Sequence, residues 1–185
     1  MKKINTILIG TIIILFSFAG MAVFFVLYIN GKSPVFKALY ITFLTLFYHF
    51  AMRILVGESV TAILKNRRLN YNSKWFSEKK FEKKLYKLLK VRKWAPKIMT
   101  AKPEQFDIRK RSPEELLFYM TQAEIVHESS MALSFLPLLL IIPYGAPATF
   151  ISTSLLACFA DIPFVIVQRY NRPKVIKYLR RKGKR

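Results

Sequence analysis

The sequence predicts an all-α integral membrane protein: four transmembrane helices, with a basic amphipathic cytoplasmic segment between spans two and three, in a single membrane domain over residues 1–185. Three observations lead there. Of the 185 residues 53% are hydrophobic, yet the formal net charge is +21, a combination unusual in a soluble domain. The apolar residues gather in runs near the roughly 20 residues that a helix needs to cross about 30 Å of hydrocarbon. The basic residues fall mainly outside those runs, at the N-terminus, in one long polar segment and in a C-terminal tail.

The first span, 4–29, follows Lys2 and Lys3. A signal peptide starts the same way, and Ala19-Gly20-Met21-Ala22 resembles a small-residue cleavage site. The run continues through Phe24, Phe25, Val26 and Leu27, well beyond an apolar region of about 7–15 residues, so an uncleaved span is expected. Asn30-Gly31-Lys32-Ser33-Pro34 reads as a tight loop, with Pro34 suited to the first turn of a helix. The second span, 35–56, is interrupted near its end by His49 and Arg53, with Glu58 just beyond. Segment 65–111 holds 17 Lys or Arg against 4 Asp or Glu, with Trp75, Phe76, Phe81, Tyr86 and Trp94 among the charges. Within it, residues 78–90 can be drawn as a basic amphipathic helix with Phe81, Leu85, Leu88 and Leu89 close to one face. Such a helix suits the headgroup region of an anionic leaflet. Nucleic acid is the rival partner for a basic, aromatic surface, and is set aside because the flanking spans hold this segment against a bilayer.

Ser112-Pro113-Glu114-Glu115 has the pattern of a helix start: Ser at the cap, Pro at the first position, Glu three residues after the cap. That helix leads into the third span, 125–142. Pro143-Tyr144-Gly145-Ala146-Pro147 is an uncharged turn, and the fourth span, 148–167, contains Asp161 and Pro163. The basic tail, 169–185, opens with Gln168-Arg169-Tyr170-Asn171-Arg172-Pro173 at the boundary. The two loops that join paired spans carry one Lys between them, whereas the N-terminus, segment 65–111 and the tail are basic. The positive-inside rule then puts both termini in the cytoplasm of a multi-pass cell-membrane protein.

Several chemistries are excluded. The lone cysteine, Cys158, allows no intrachain disulfide and no Cys-based metal site, and two histidines do not make a His-rich metal centre. His127-Glu128-Ser129-Ser130-Met131 lacks the second histidine of a zinc-protease helix, and there is no phosphate-binding Gly-rich loop and no nucleophile elbow. No metal and no bound cofactor are expected.

Ionisable groups at membrane depth are costly and usually face protein or water. With span two starting on the outer side, His49 lies about 7 Å short of the inner boundary and Arg53 about 1–2 Å short. The two are four apart and share a helix face; Glu124 is three before His127 and four before Glu128. Asp161 and Gln168–Arg172 fall near the cytoplasmic end of span four, so the expensive groups of separate runs are expected at one level in the inner leaflet. Each has a plainer reading as well. Arg53 can snorkel to headgroups, Glu124 with His127 can be a polar helix start, and His49 can make an interhelical hydrogen bond. As a site, a neutral imidazole beside a carboxylate is a general base, and Arg53, Arg169 and Arg172 suit a phosphate or an oxyanion. These residue types fit acyl or other group transfer to a lipid hydroxyl.

Three separated motifs carry a resemblance: Val91-Arg92-Lys93-Trp94 with Lys97, Ala123-Glu124-x-x-His127, and Ile166-Val167-Gln168-Arg169-Tyr170-Asn171-Arg172-Pro173. From about Phe81 onward the chain resembles the glycosyl-4,4'-diaponeurosporenoate acyltransferase family of Gram-positive bacteria. The resemblance implies a membrane enzyme that esterifies a sugar hydroxyl of a glycosylated C30 carotenoid acid with a fatty acyl chain, the last step to a staphyloxanthin-type pigment. It nominates Arg92, Trp94, Glu124, His127, Gln168, Arg169, Asn171 and Arg172. The first half, with His49 and Arg53, matches poorly, which leaves the acceptor open to other membrane glycolipids.

The resulting expectation is an inner-leaflet acyltransferase with His127 as general base oriented by Glu124, and His49 as the other candidate base. Arg169 and Arg172 would bind an anionic part of the donor or acceptor, and Asn171 or Gln168 would orient the hydroxyl. The donor would be an acyl thioester such as acyl-CoA, and the partners a membrane lipid or glycosylated carotenoid acceptor and anionic inner-leaflet lipids. Two other classes stay open: a non-catalytic membrane protein that binds anionic lipid or a partner helix, and a different lipid-modifying transferase such as a methyltransferase.

Overall fold

Four long apolar stretches, each free to satisfy its backbone within itself, favour helices over any other structure. The computed structural model describes residues 6–65, 67, 69–71, 73–98, 100 and 103–182. Lys2, Lys3, the first two residues of the predicted first span and residues 183–185 of the basic tail lie outside the described residues. Among the described residues there are helices and turns and no strand. The chain order is α1 (Thr6–Gly31), α2 (Pro34–Leu64), α3 (Lys80–Leu88), α4 (Val91–Trp94) with a 3₁₀ turn at Ala95–Lys97, a second 3₁₀ turn at Pro103–Gln105, α5 (Pro113–Leu133), a 3₁₀ turn at Leu136–Leu140, α6 (Ile141–Tyr144) and α7 (Pro147–Lys182). Among the described residues four stretches are long and apolar enough to cross a membrane: Leu8–Gly31, Pro34–Leu64, Pro113–Tyr144 and Pro147–Arg181.

The helices outrun the predicted spans. α2 follows the helical pattern that runs on from span two to Leu64, and α7 passes Val167 and ends at Lys182. Both Pro163 and Pro173 lie inside α7. A proline removes one backbone hydrogen bond, here those to the Phe159 and Arg169 carbonyls, and a long helix can run through it. Consequently Gln168–Pro173 is helix interior, and its side chains are distributed around a helix axis.

The chain divides into two compact units, Met1–Gly57 with Ser129–Ala160, and Glu58–Glu128 with Asp161–Arg185. In the first, Ile41 and Phe150 are fully buried beside Tyr40, whose hydroxyl lies 3.2 Å from that of Tyr144. α1 approaches α2 closely at Gly20, where an added Cβ would stand 2.5 Å from the Phe43 ring. Phe24 stacks on the same ring at 5.5 Å and Phe16 meets it edge-on at 5.6 Å. The outward residues of α1, among them Leu8, Ile12, Leu15, Phe16 and Val26, are large, apolar and exposed, the surface that hydrocarbon would cover. The tight turn between α6 and α7 places Gly145 and Ala146 at φ of 69° and 56°. Ala146 holds that left-handed conformation despite its Cβ.

The second unit is built on Tyr86, Val91 and Ala95, packed against Trp94, Ile166, Val167 and Tyr170, so α3, α4 and α7 form one cluster. α5 starts as its sequence predicts. Ser112 Oγ accepts the Glu115 backbone N–H at 3.2 Å and the Ser112 N–H donates to Glu115 Oε2 at 2.8 Å, a reciprocal cap. α3 is shorter than the predicted 78–90. It turns Glu82 and Tyr86 inward and leaves Phe81 and Leu88 exposed beside Lys83, Lys84 and Lys87.

Candidate functional site

A 3.6-residue period puts positions three and four apart on one helix face, and the second unit uses that rule on two helices at once. On α5 it aligns Glu124 with His127; on α7 it aligns Arg169 with Arg172, and Asp161 lies at the start of this unit's part of α7.

Glu124 is completely buried and is clamped by two guanidiniums. Its Oε1 accepts from Arg169 Nη1 at 2.6 Å, and its Oε2 is 2.5 Å from Arg172 Nη2. Arg169 also donates through Nε to Glu82 Oε1 at 2.8 Å, through Nη1 to the Trp75 carbonyl at 3.0 Å and through Nη2 to the Ser77 carbonyl at 3.2 Å. With Arg169 Nη2 also 2.6 Å from Glu82 Oε1, the five N–H groups of Arg169 are accounted for within the protein. Arg172, only 1% exposed, donates to the Phe76 carbonyl at 3.0 Å and lies over the Phe76 ring at 5.1 Å. Glu82 is equally committed, since its Oε2 accepts from the Lys79 N–H at 3.0 Å and the Tyr86 hydroxyl at 3.1 Å. Burial and this carboxylate neighbour push the Tyr86 phenol above its ordinary pKa. Two carboxylates and two guanidiniums thus form a buried, neutral cluster that ties α3, α5, α7 and the Trp75–Ser77 strap together.

His127 belongs to a different pair. Its Nδ1 is 2.9 Å from Asp161 Oδ1, and its ring stacks on Phe164 with centroids 4.5 Å apart and planes 11° apart. An ionised carboxylate only accepts, so Nδ1 donates to it and the Nε2 lone pair is left for chemistry. The Asp161 side chain is 4% exposed and that of His127 24%, so the accessible end of the pair is the imidazole. The carboxylate that orients His127 is therefore Asp161, and Glu124 is held by the arginines instead. Next in the chain, Glu128 accepts the Trp75 indole N–H at 2.9 Å.

The remaining nominated residues fall in three places. Trp94 donates its indole N–H to the Leu89 carbonyl at 2.9 Å and packs in the α3–α4–α7 cluster, and Gln168 is buried in α7. Arg92 and Asn171 line a recess of about 530 Å³ with Ala95, Pro96, Tyr170 and Lys174. His49 and Arg53 lie in the first unit. There His49 is buried with its ring 5.3 Å from that of Tyr48, and Arg53 donates to the His49 carbonyl at 2.8 Å and the Ala157 carbonyl at 2.6 Å. Asp161, Glu82 and Lys174 were not nominated from sequence. Asp161 alone carried a signal, as an ionisable residue inside an apolar run. Among the described residues no group of three His, Cys, Asp or Glu is arranged to hold a metal ion.

The sequence model of the glycosyl-4,4'-diaponeurosporenoate acyltransferase family matches residues 72–181. The chain belongs to that family. Comparison with curated proteins and with solved structures found no match. The region matched to the acyltransferase family contains the Glu82–Glu124–Arg169–Arg172 cluster, the His127–Asp161 pair and the Arg92 recess; His49 and Arg53 precede it.

Proposed function

We propose that the protein transfers a fatty acyl chain from a thioester donor to a hydroxyl of a membrane glycolipid, with the sugar of a glycosylated C30 carotenoid acid as the favoured acceptor, and that His127 is the general base. Membership of an acyltransferase family supplies the reaction class. The observation that carries the assignment within it is the 2.9 Å contact between His127 Nδ1 and buried Asp161, which fixes the tautomer a base needs. In the transfer, Nε2 takes the proton from the acceptor hydroxyl as its oxygen attacks the thioester carbonyl. The C–O bond forms, the C–S bond breaks, and the imidazolium returns the proton to the departing thiolate. Asp161 stabilises the imidazolium meanwhile without taking its proton.

The charge distribution supports the same placement as the positive-inside rule: both termini and segment 65–111 in the cytoplasm, where an acyl thioester is supplied and where the exposed Phe81 and Leu88, set among lysines, suit an anionic leaflet. In this reading Glu124, Arg169 and Arg172 build the site and do not contact the substrate.

Lipid and pigment extracts of cells carrying each variant test the proposal. His127→Ala abolishes a product heavier than its glycolipid precursor by one acyl chain, and Asp161→Asn lowers its rate by about 10²- to 10⁴-fold, the cost of a wrong tautomer. Undiminished product from His127→Ala, in protein still inserted in the membrane, would remove His127 from the chemistry. A 14-Da shift in place of an acyl shift would mean methylation.

A further inference from the structure

The buried cluster leaves a question about charge. Arg169 and Arg172 are neutralised by Glu82 and Glu124, so the arginines of the Gln168–Pro173 block have no charge left over for an anionic substrate. At about 100° per residue, Arg169 and Arg172 occupy one side of α7, while Tyr170, Asn171 and Lys174 are turned to another. That second side forms one wall of the 530 Å³ recess; Arg92 of α4 and the Ala95-Pro96 turn form the other.

The chemistry of the recess is that of an anion site. Among the described residues its lining has two cations and no carboxylate. Arg92 is exposed at its edge. Lys174 Nζ lies 3.4 Å over the Tyr170 ring and donates to Asn171 Oδ1 at 2.9 Å. The ammonium is therefore held at the recess by neutral partners, and among the described residues no carboxylate pairs with it. Asn171 adds a carboxamide N–H₂ and Tyr170 a phenol. The volume is within the range of small-molecule sites, and Ala95 in its wall is buried in one cluster with Tyr86 and Val91.

We propose that this recess binds a phosphate group, with Arg92 and Lys174 as the charge-bearing ligands and Asn171 as a neutral donor. The inference rests on the acyl-transfer reading only for the identity of the phosphate. In that reading it belongs to the nucleotide part of the thioester donor; the other source with the same chemistry is an anionic lipid headgroup. Lys174 then exchanges its contact with the Asn171 carbonyl oxygen for a phosphate oxygen, and the Asn171 N–H₂ donates to the same group.

Native mass spectrometry of the full-length protein, released from nanodiscs, tests this with two probes: adenosine 3',5'-bisphosphate and phosphatidylglycerol. Wild type is expected to retain the bisphosphate. Arg92→Gln and Lys174→Gln each weaken retention about tenfold, as loss of one charge-assisted contact does, and the double variant abolishes it. Retention of phosphatidylglycerol but not the bisphosphate, lost in the double variant, assigns the site to lipid phosphate and still supports it. Equal retention of both probes by wild type and double variant, or of neither by wild type, overturns the proposal. His127→Ala, run alongside, is expected to keep wild-type retention while losing transfer. If it keeps transfer, the general-base assignment fails and the phosphate result stands on its own.

Discussion

Glu124 shows how a residue's partners decide its role. It sits three residues before His127, on the same face of α5, and a carboxylate so placed could orient the imidazole. Two guanidiniums within 2.6 Å draw it away, and the imidazole pairs with Asp161, 34 residues further on. Helical spacing identifies which side chains share a face, but the partner across the interface comes from another helix that sequence spacing does not reach. Removing one member of a buried ion pair strands its partners, at a cost of about 3–5 kcal/mol, whereas an exposed pair contributes about 0–1 kcal/mol. Glu124→Gln should therefore lower the stability of the protein in nanodiscs far more than Lys83→Gln, which breaks the 3.7 Å pair of an exposed lysine with Glu78. Per folded molecule Glu124→Gln should also transfer acyl chains far faster than Asp161→Asn; equal losses would return the orienting role to Glu124. Tyr86 gives a pH test. Its phenol is held protonated by burial and by Glu82, so its folded pKa is above the unfolded value of about 10. The stability it contributes is complete below pH ~10 and is lost as the pH rises through the folded pKa. Thermal unfolding of Tyr86→Phe should fall less steeply than that of wild type above pH ~10.

At the scale of elements, the close approach of α1 and α2 depends on one missing methyl group. A Cβ at Gly20 would lie 2.5–2.8 Å from three atoms of the Phe43 ring, which is itself held between Phe16 and Phe24. Overpacking of this kind costs about 1–3 kcal/mol. Gly20→Ala should lower the unfolding temperature, whereas Gly10→Ala, with nothing within 4 Å of the new Cβ, should raise it slightly through helix propensity. A gain at both positions would mean that the ring moves aside freely. The four long helices and the Ser112 cap were legible because hydropathy and capping are local properties of the chain. The end of α7 was not: the apolar run stops near Val167, but Ile166, Val167 and Tyr170 pack on Tyr86, Val91 and Ala95, and this tertiary contact carries the helix through Pro173. Where a helix leaves hydrocarbon and where it stops being a helix are separate questions. Reading them as one made Gln168–Pro173 a boundary motif in which Arg169 and Arg172 would bind an anionic group. As a helix, the block divides into a face for the carboxylates and a face for the recess.

For the whole molecule, the +21 net charge is both an orientation signal and a constraint on where substrates approach. Arg169 and Arg172 are paired with the carboxylates of Glu82 and Glu124, so they add little to the field outside the protein. Lys80, Lys83, Lys84 and Lys87 of α3 and Lys174 and Lys177 of α7 are exposed, and these set the field that an anionic leaflet or a phosphorylated donor would meet. This makes topology the property on which the functional reading depends. If both termini and segment 65–111 are cytoplasmic, the loop containing Lys32 is external. The natural thiol, Cys158, is half-buried and can be replaced by Ala to give a Cys-free background. Single cysteines at Lys32, Lys93 and Lys177 then report sidedness to a membrane-impermeant maleimide added to intact cells. Lys32→Cys should label without permeabilisation, and Lys93→Cys and Lys177→Cys only after it. Labelling of Lys93→Cys from outside would put the His127–Asp161 unit on the side of the membrane that lacks acyl thioesters, and the donor would then have to be an acyl lipid reached within the bilayer.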